Sequence, residues 1–219
     1  NNYKVTVVTR NIHQKSYIIK TQGNAGYIDI VESNIYDEEK IRKLFGKADI
    51  CINLVGILFE KGSNNFTNIH EKFPSMLSNL CKKNNVHKFI HISALGIEKA
   101  KDSKYAISKL NGEKAVRKNF KEAIILKPSI IYSVDDNFTT MLMSLFNILP
   151  IFPLYYNGKT KFMPLHCSDI CNLIVDLVEE NTSGKTIECV GPEELSFKEI
   201  IEKLLTLINK KRLFLPIPI

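Results

Sequence analysis

Three side chains near the middle of the chain have the types and spacing of a proton-transfer site. Tyr105 and Lys109 lie four residues apart in "YAISKLNGEKAV", which places them on one face of a helix. Ser93 lies twelve positions before Tyr105, in "HISALG". A free phenol has a pKa of about 10, and a nearby ammonium favours the phenolate and lowers that pKa. Such a tyrosine can relay a proton to a carbonyl oxygen that a serine hydroxyl holds.

A purely structural interpretation of the same residues stays open. In it Tyr105 half-buries its ring and Lys109 is solvated, as on an ordinary amphipathic helix. The pattern Tyr-x-x-x-Lys is common and carries little information alone. Its position after an apolar strand that ends at Ser93 favours a site that faces a nucleotide.

The elements that must position these side chains alternate between short apolar runs and helical patterns. This alternation predicts βαβ units and a parallel sheet. The predicted strands are "YKVTVVTR", "GYIDIVES", "ADICINLVG", "HKFIHISALG" and "EAIILKPSIIY", and the predicted helices are "YDEEKIRKLFGK", 65–84 and "SKYAISKLNGEKAVRKN". "ADICINLVG" is nearly all apolar, as expected of a strand covered on both faces. Ligands bind at the carboxyl ends of such strands, so we expect Ser93 to face the crevice.

The pattern changes after residue 135. A helix is followed by a Pro-rich apolar loop, a short strand near "KTKFMPLH", the helix "SDICNLIVDLVEE", the strand "KTIECVG" and the final helix "SFKEIIEKLLTLINKK". We therefore predict a core over 1–132 and a smaller mixed α/β cap over 133–219, which also returns strands and helices to the core.

The order of strands raises an expectation about the front of the fold. In a doubly wound sheet of order 3-2-1-4-5-6, strand 1 lies in the middle. If "YKVTVVTR" is strand 2, the central strand, its glycine-rich turn and the first helix lie outside the sequence, and about 20–30 residues precede Asn1. The alternative is that "YKVTVVTR" is itself strand 1. Against it, "TRNIHQKSYIIK" has no glycine pattern and opens no clear helix.

Composition and charge exclude several classes of protein. No run of about 18 apolar residues occurs, so no transmembrane helix is expected. The net charge is +7, but the lysines are spread along helix faces beside glutamates, so we expect no nucleic-acid partner. The apolar segment 141–156 is broken by Asn147, Pro150 and Pro153. Core packing, a substrate lid and a surface for a partner or membrane all remain open for it.

The five cysteines give little sign of a special site. Their odd number and irregular spacing indicate a reducing compartment. Cys167 and Cys171 can share a helical face, but no second ligand pair follows them, so no metal site is expected. His166 and Asp169 are expected near a helix cap, and His91 is expected to be packed inside the sheet.

The sequence "HISALG…YAISKLNGEKAV…ILKPSIIYSVDDNF" resembles the short-chain dehydrogenase/reductase superfamily, in its extended or atypical branch. Within it, "INLVGILFE", "KFIHISALG" and "KPSIIYSVDDNF" are similar in order and spacing to the Rossmann-fold accessory subunits of respiratory complex I and their bacterial relatives. The resemblance extends over Tyr3 to about Pro216. It implies a doubly wound parallel Rossmann sheet with a small C-terminal cap.

The resemblance also implies roles for particular residues. Ser93, Tyr105 and Lys109 match the catalytic serine, tyrosine and lysine, and Lys109 also matches the ligand of the cofactor ribose. Arginine at the position that reads the adenosine ribose suits a 2′-phosphate, so NADP(H) is favoured over NAD(H). The matched cofactor-binding positions are Arg10, Asn34, Ile35, Leu54, Val55, Gly56, Tyr105, Lys109, Pro128, Ser129 and Ile131. Asn34 replaces the usual aspartate, which puts that contact in doubt, and the glycine fingerprint is not in the sequence.

Two functional hypotheses follow from the resemblance. The first is an NADP-dependent oxidoreductase that acts on a carbonyl or nucleotide-sugar-like substrate through Ser93, Tyr105 and Lys109. The second is a non-catalytic subunit or assembly factor of a membrane NADH dehydrogenase complex, in which a dinucleotide acts as a folding ligand. A dinucleotide-binding redox sensor is a weaker third. The implied location is the bacterial cytoplasm or the mitochondrial matrix, peripheral to the inner membrane.

Overall fold

The computed structural model describes residues 3–134 and 136–217. Its strands are β1 Val5–Thr9, β2 Ile28–Glu32, β3 Ile50–Asn53, β4 Lys88–Ile92, β5 Ile124–Pro128, β6 Ile131–Tyr132, β7 Ile151–Tyr155, β8 Lys161–Phe162, β9 Leu165–His166, β10 Thr186–Cys189, β11 Leu195–Ser196 and β12 Leu213–Ile217. Its α-helices are α1 Ile12–Lys20, α2 Glu38–Phe45, α3 Phe73–Lys83, α4 Lys104–Asn119, α5 Asn137–Ile148, α6 Cys167–Glu179 and α7 Phe197–Leu207. A π-helix, Thr67–Lys72, leads into α3.

The predicted parallel α/β architecture is confirmed. Strands β10-β5-β4-β3 form a four-stranded parallel sheet, and β1 and β2 form a separate parallel pair. The central strands β4 and β5 are mostly apolar, with Lys88 and His91 in β4 and Lys127 in β5 as exceptions, and every residue of β5 is buried. Because β10 lies after residue 132 and pairs with β5, the C-terminal part of the chain adds a strand to this sheet, while the division into a core and a cap stays a prediction.

Strand β3 is less covered than its sequence predicted, and β1 is exposed as well. Among residues 3–134 and 136–217, β1 pairs only with β2 and β3 pairs only with β4. Ile52 in β3 is 39% exposed, and Val5 and Val8 in β1 are each 46% exposed. The expectation that β3 is covered on both faces is therefore wrong for the described residues.

Two local predictions were wrong. Residues 12–20 form the helix α1, although no clear helix was expected after β1. Residues 151–155, expected as an apolar loop, form strand β7, which pairs in parallel with β12. Pro153 is tolerated there because β7 pairs on one side only within the described residues, as an edge strand can.

Helix α4 is positioned by a cap and by a close approach. The hydroxyl oxygen of Ser103, its N-cap, accepts a hydrogen bond from the backbone N–H of Ala106 at 3.3 Å. Gly112 lies against the π-helix so closely that a Cβ atom would come within 1.9 Å of the His70 carbonyl oxygen. The π-helix therefore packs directly against α4 at this glycine, and this contact fixes the position of His70 beside Tyr105.

Candidate functional site

The candidate residues lie at or after the carboxyl ends of five parallel strands. Arg10 follows β1, Asn34 and Ile35 follow β2, Leu54 to Gly56 follow β3, and Ser93 follows β4. Pro128 ends β5, and Ser129 and Ile131 come directly after it. Carboxyl ends of parallel strands in one sheet lie at the same edge, which is where ligands bind in open α/β folds. The residues after β3, β4 and β5 therefore share one edge of the four-stranded sheet, whereas Arg10, Asn34 and Ile35 follow the strands of the separate β1-β2 pair.

Ser93 is buried against the helix that carries Tyr105 and Lys109. It is 4% exposed, and its hydroxyl donates a hydrogen bond to Oε1 of Glu113. The other carboxylate oxygen, Oε2, lies 3.1 Å from Nζ of Lys127, which also pairs with Glu98. A serine hydroxyl has one proton to donate. In this arrangement that proton is engaged by Glu113, and the Ser93 oxygen is left with lone pairs only.

The ion pairs around Lys127 hold Glu113 in place. Burial alone would lower the pKa of Lys127, but hydrogen bonds with Glu98 and Glu113 outweigh it and raise the pKa. The same contact, from Lys127 to Glu98, lowers the pKa of Glu98. Glu113 was not predicted as a site residue from the sequence. The signal for it was its spacing, because it lies four residues after Lys109 and thus on the same face of α4.

Tyr105 is enclosed by aromatic rings. Its ring meets that of His70 edge-on at 5.3 Å between centroids, and that of Phe66 edge-on at 5.8 Å. Burial raises the pKa of Tyr105, the opposite of the lowering expected from a neighbouring Lys109. The ring is held firmly, but its phenol is a weaker acid here than in water.

Lys109 points towards the turn after β3. Its Nζ donates to the Ile92 carbonyl at 3.2 Å and lies 3.4 Å from where a Cβ on Gly56 would be. Burial lowers the pKa of Lys109 to about 8, against the opposing charge of Glu113. Gly56 thus leaves room for an ammonium directly beneath a turn that was predicted to lie under adenosine.

Two buried histidines, His70 and His91, lie next to these candidate residues. His70 accepts a hydrogen bond at Nε2 from the N–H of Ile57 (3.1 Å), so its proton lies on Nδ1, which faces Ser108 Oγ at 2.9 Å. Ser108 in turn donates to the Tyr105 carbonyl at 2.7 Å. His70 thereby ties the loop after β3 to the first turn of α4. It is a positioning residue that the sequence analysis did not identify.

His91 is packed inside the sheet, as expected, but with an unpartnered atom. The Oδ1 of Asn53 accepts from the N–H of Val55 (3.1 Å), so its amide nitrogen donates to His91 Nδ1 at 3.0 Å. The proton of His91 then lies on Nε2, a buried atom with no partner among the described residues. Burial lowers the pKa of His91 to about 3 and that of His70 to about 4. Both rings are neutral at pH 7.

The predicted adenosine contacts differ in exposure. Arg10 is exposed directly after β1. Asn34 uses its side-chain oxygen to accept from the N–H of Tyr36 at 3.3 Å, and Ile35 packs against the core formed by α2 and α3. Leu54 is 68% exposed and Val55 37% exposed. The predicted adenosine contacts thus comprise an exposed arginine, the turn after β2 that Asn34 closes, and the exposed apolar side chains of Leu54 and Val55.

The loop after β5 connects the sheet to the C-terminal part of the chain through Pro128, Ser129 and Ile131. The Pro128 carbonyl accepts from Leu95, and the Ser129 N–H donates to the Cys189 carbonyl, each at 2.9 Å. Ile131 pairs with Leu165 in the parallel β6-β9 pair. These contacts hold the loop after β5, although the site roles of all the matched residues stay predictions.

The region around His166 has structural partners. His166 is the N-cap of α6, and its Nδ1 lies 2.6 Å from Ser168 Oγ, while Asp169 lies in the first turn of the helix. Cys167 and Cys171 both lie on α6. Over residues 3–134 and 136–217, no group of three metal-ligating side chains comes together. In the same part of the chain no helix is both long enough and apolar enough to span a membrane.

Comparison with known proteins agrees with this geometry. No family model matches the chain. It is 31% identical over 188 residues to subunit 9 of the NADH dehydrogenase (ubiquinone) 1 alpha subcomplex, mitochondrial, of Dictyostelium discoideum, covering 85% of this chain and 52% of that protein. Against the Mus musculus subunit of the same name it is 28% identical over 204 residues, covering 92% and 53%. The chain spans about half the length of these curated relatives.

Solved structures share the fold over nearly the whole chain. UDP-glucuronic acid 4-epimerase from Bacillus cereus, in complex with UDP-glucuronic acid and NAD, superposes with a TM-score of 0.79 at 20% identity, covering 99% of this chain and 78% of that one. A dTDP-4-dehydrorhamnose reductase from Bacillus anthracis, in complex with NADP, gives 0.72 at 15% identity, covering 97% and 84%. At these identities the likeness shows the fold alone.

The parallel strands with their helices and these structural neighbours define a Rossmann-type α/β fold. More particularly, the chain is related to the complex I accessory subunits, and the resemblance in its sequence motifs is confirmed.

Proposed function

We propose that this protein binds a nicotinamide dinucleotide along the carboxyl edge of its parallel strands. One observation carries the proposal: candidate residues follow β3, β4 and β5 at one edge of the four-stranded sheet, and there the Lys109 ammonium lies beside the Gly56 turn. The names of two structural neighbours, one with NAD and one with NADP, support a dinucleotide of this class. The bound cofactor would supply a hydride-carrying nicotinamide.

The residues present suit such a ligand. Lys109 would hold ribose hydroxyls, Leu54 and Val55 would cover the adenosine, and the loop from Pro128 would lie beside the nicotinamide. Arg10 is exposed after β1 and presents a fork of donors that suits a 2′-phosphate. We therefore propose that NADP(H) is bound in preference to NAD(H).

We further propose that the dinucleotide acts as a folding ligand in an accessory subunit of a membrane NADH dehydrogenase complex. Two features of the site support a role without turnover. The only hydroxyl proton of Ser93 is engaged by Glu113, and burial raises the pKa of Tyr105. A ligand held at about 100 times its dissociation constant adds roughly 2.7 kcal/mol to the stability of the folded state. The names of the curated relatives support the association with the complex, in the mitochondrial matrix or bacterial cytoplasm and peripheral to the inner membrane.

A second candidate is an oxidoreductase that uses the same dinucleotide on a carbonyl substrate. It is favoured by the presence of Ser93, Tyr105 and Lys109 together around α4. For catalysis, Ser93 would have to release Glu113 and donate to the substrate, and Tyr105 would have to give up its proton. Tyr105→Phe separates the two candidates, because it abolishes turnover by an enzyme but leaves the affinity of a folding ligand nearly unchanged.

Cofactor choice is tested by calorimetric titration of the natural-length protein with NADPH and with NADH. We expect NADPH to bind more tightly, and Arg10→Gln to weaken NADPH about tenfold while leaving NADH within a factor of about two. The matched control is Arg42→Gln, which removes an exposed arginine from α2. Equal loss of both dinucleotides in the Arg10 variant would contradict the assignment of Arg10 to the 2′-phosphate.

A further inference from the structure

The pair of strands β7 and β12 has a second face that the rest of the described chain leaves open. In their parallel register Ile151 pairs with Leu213, Pro153 with Leu215, and Tyr155 with Ile217. Side chains two residues apart point to the same side of a strand. These three pairs therefore form one continuous apolar surface, which we call the outer face.

The outer face is exposed to a degree that apolar sheets seldom show. Its exposed fractions include 48% for Ile151, 56% for Tyr155, 71% for Leu213 and 56% for Leu215. The opposite face of the same strands packs Phe152 and Leu154 into the core with α5 and α7. Strands that are apolar on both sides are typical of sheets covered on both sides. The outer face thus has the composition of an interface.

Apolar residues next to the strands in sequence are exposed as well. Ile148, at the end of α5, is 76% exposed, and Tyr156, directly after β7, is 62% exposed. Tyrosines with an apolar ring and a polar hydroxyl are enriched where a hydrophobic layer meets water.

The positive charge of the protein is concentrated around the same surface. The segments that carry it, 147–161 and 208–217, contain five basic residues and no acidic one: Lys159, Lys161, Lys210, Lys211 and Arg212. The whole chain has 30 basic and 23 acidic residues, a net charge of +7, so the remainder, with 25 basic residues, carries only +2.

These basic residues lie at the two ends of the strand pair that forms the outer face. Lys210 to Arg212 directly precede β12, and Lys159 and Lys161 follow β7, so cations lie at both ends of the strand pair. Among the described residues, no carboxylate comes within ion-pair distance of Lys159, Lys210 or Lys211. A surface of this type fits a partner that is apolar in the middle and anionic around it. Nucleic acid does not match it, since it offers phosphates but no flat apolar layer.

We propose that the outer face docks on the surface of a lipid bilayer that contains anionic headgroups. Ile151, Leu213 and Leu215 enter the boundary between headgroups and acyl chains, while the flanking lysines contact the phosphates. Binding at such an interface combines buried apolar area with electrostatic attraction. The inference extends the proposed association with a membrane complex. It names the lipid surface itself as a partner and does not require the dinucleotide.

The test is co-sedimentation of the natural-length protein with vesicles of phosphatidylcholine alone and of phosphatidylcholine with phosphatidylserine in equal parts. These vesicles contain no respiratory complex, so failure here leaves the subunit proposal standing. We expect binding to the anionic vesicles that weakens at high salt. The double variant Lys159→Gln/Lys211→Gln should lose affinity by about 25-fold, since each lysine near an anionic surface contributes about fivefold.

The apolar part is tested separately. Leu213→Ser should weaken binding by roughly tenfold. Tyr155→Ser should weaken it as well, whereas Tyr17→Ser, which removes an equally exposed tyrosine from α1, should not. The charge control is Lys43→Gln/Lys47→Gln, which removes two exposed lysines away from the outer face.

Three results would overturn the inference. The first is equal binding to neutral and anionic vesicles, and the second is equal loss in the control variants. The third is a concentration-dependent dimer that forms without vesicles and is abolished by Leu213→Ser, which would assign the outer face to a second copy of the chain.

Discussion

The two buried histidines should make the stability of this protein fall steeply between pH 7 and pH 5. Burial lowers the pKa of His70 to about 4 and that of His91 to about 3, each from an ordinary value of 6.5. In this range both rings stay neutral in the folded protein but take up a proton when it unfolds. The unfolded state therefore binds more protons, and the free energy of unfolding decreases as the pH falls.

The size of the effect depends little on the folded-state values. At pH 5 both folded pKa values lie below the pH, so the loss is set by the 1.5-unit distance from 6.5. At about 1.4 kcal/mol per pKa unit, each histidine costs about 2 kcal/mol, and the pair about 4 kcal/mol. Carboxylates titrate mostly below this window and add little to it.

Urea denaturation at a series of pH values measures this loss directly. His70→Gln and His91→Gln should each remove about half of it, because a glutamine side chain does not titrate. His87→Gln, at an exposed histidine after α3, is the matched control and should leave the pH dependence unchanged. The reasoning would be refuted by a wild-type loss under about 1 kcal/mol between pH 7 and pH 5, or by a control variant that flattens the curve equally.

Three further perturbations test the packing around α4 and α6. Gly112→Ala should lower stability by roughly 3 kcal/mol or more, since its Cβ would meet the His70 carbonyl oxygen, while Gly46→Ala has no such contact and should change thermal denaturation little. Lys109→Met should raise the free energy of unfolding at pH 7 by up to about 3 kcal/mol, because the folded state holds a buried ammonium whose pKa is lowered to about 8. This gain in stability should shrink between pH 8 and pH 10.5, the ordinary pKa of lysine, because the folded protein loses the buried charge in that range. A gain that stays constant with pH would contradict this explanation. Lys88→Met should cost about 1–2 kcal/mol in chemical denaturation, because the ammonium donates to three carbonyls at the end of α6, and no loss would show that water replaces it.

Much of the fold could be predicted because its strands carry a strong local signal. The apolar runs that become β2, β4 and β5 are bounded by turn residues, and the helix predicted over "SKYAISKLNGEKAVRKN" is α4. Strand β7 was not predicted, because "IFPLY" contains a proline and pairs with a segment some sixty residues away. Only the folded chain brings the two segments together.

The candidate site was predictable in its residue types but not in its electrostatics. Ser93, Tyr105 and Lys109 were found from their spacing, yet the pKa of Tyr105 is raised by burial. Whether Lys109 or burial dominates depends on where the ring lies in three dimensions. The proton of Ser93 is taken by Glu113, which is held in turn by Lys127 from β5, and no local pattern links these elements.

The clustering of charge was also hidden in the sequence. Lysines are spread along the chain, so no basic stripe could be read from it. The two segments that carry four lysines and one arginine without an acidic residue become neighbours only through the pairing of β7 with β12.

The most direct test of the account is the exchange of bound dinucleotide. The natural-length protein is purified, any bound dinucleotide is released and identified, and its replacement by labelled NADPH is timed. The account predicts bound NADPH that exchanges over hours, as a folding ligand does. Exchange within seconds would contradict the role without turnover and favour the oxidoreductase, and the absence of any bound dinucleotide would contradict the site itself.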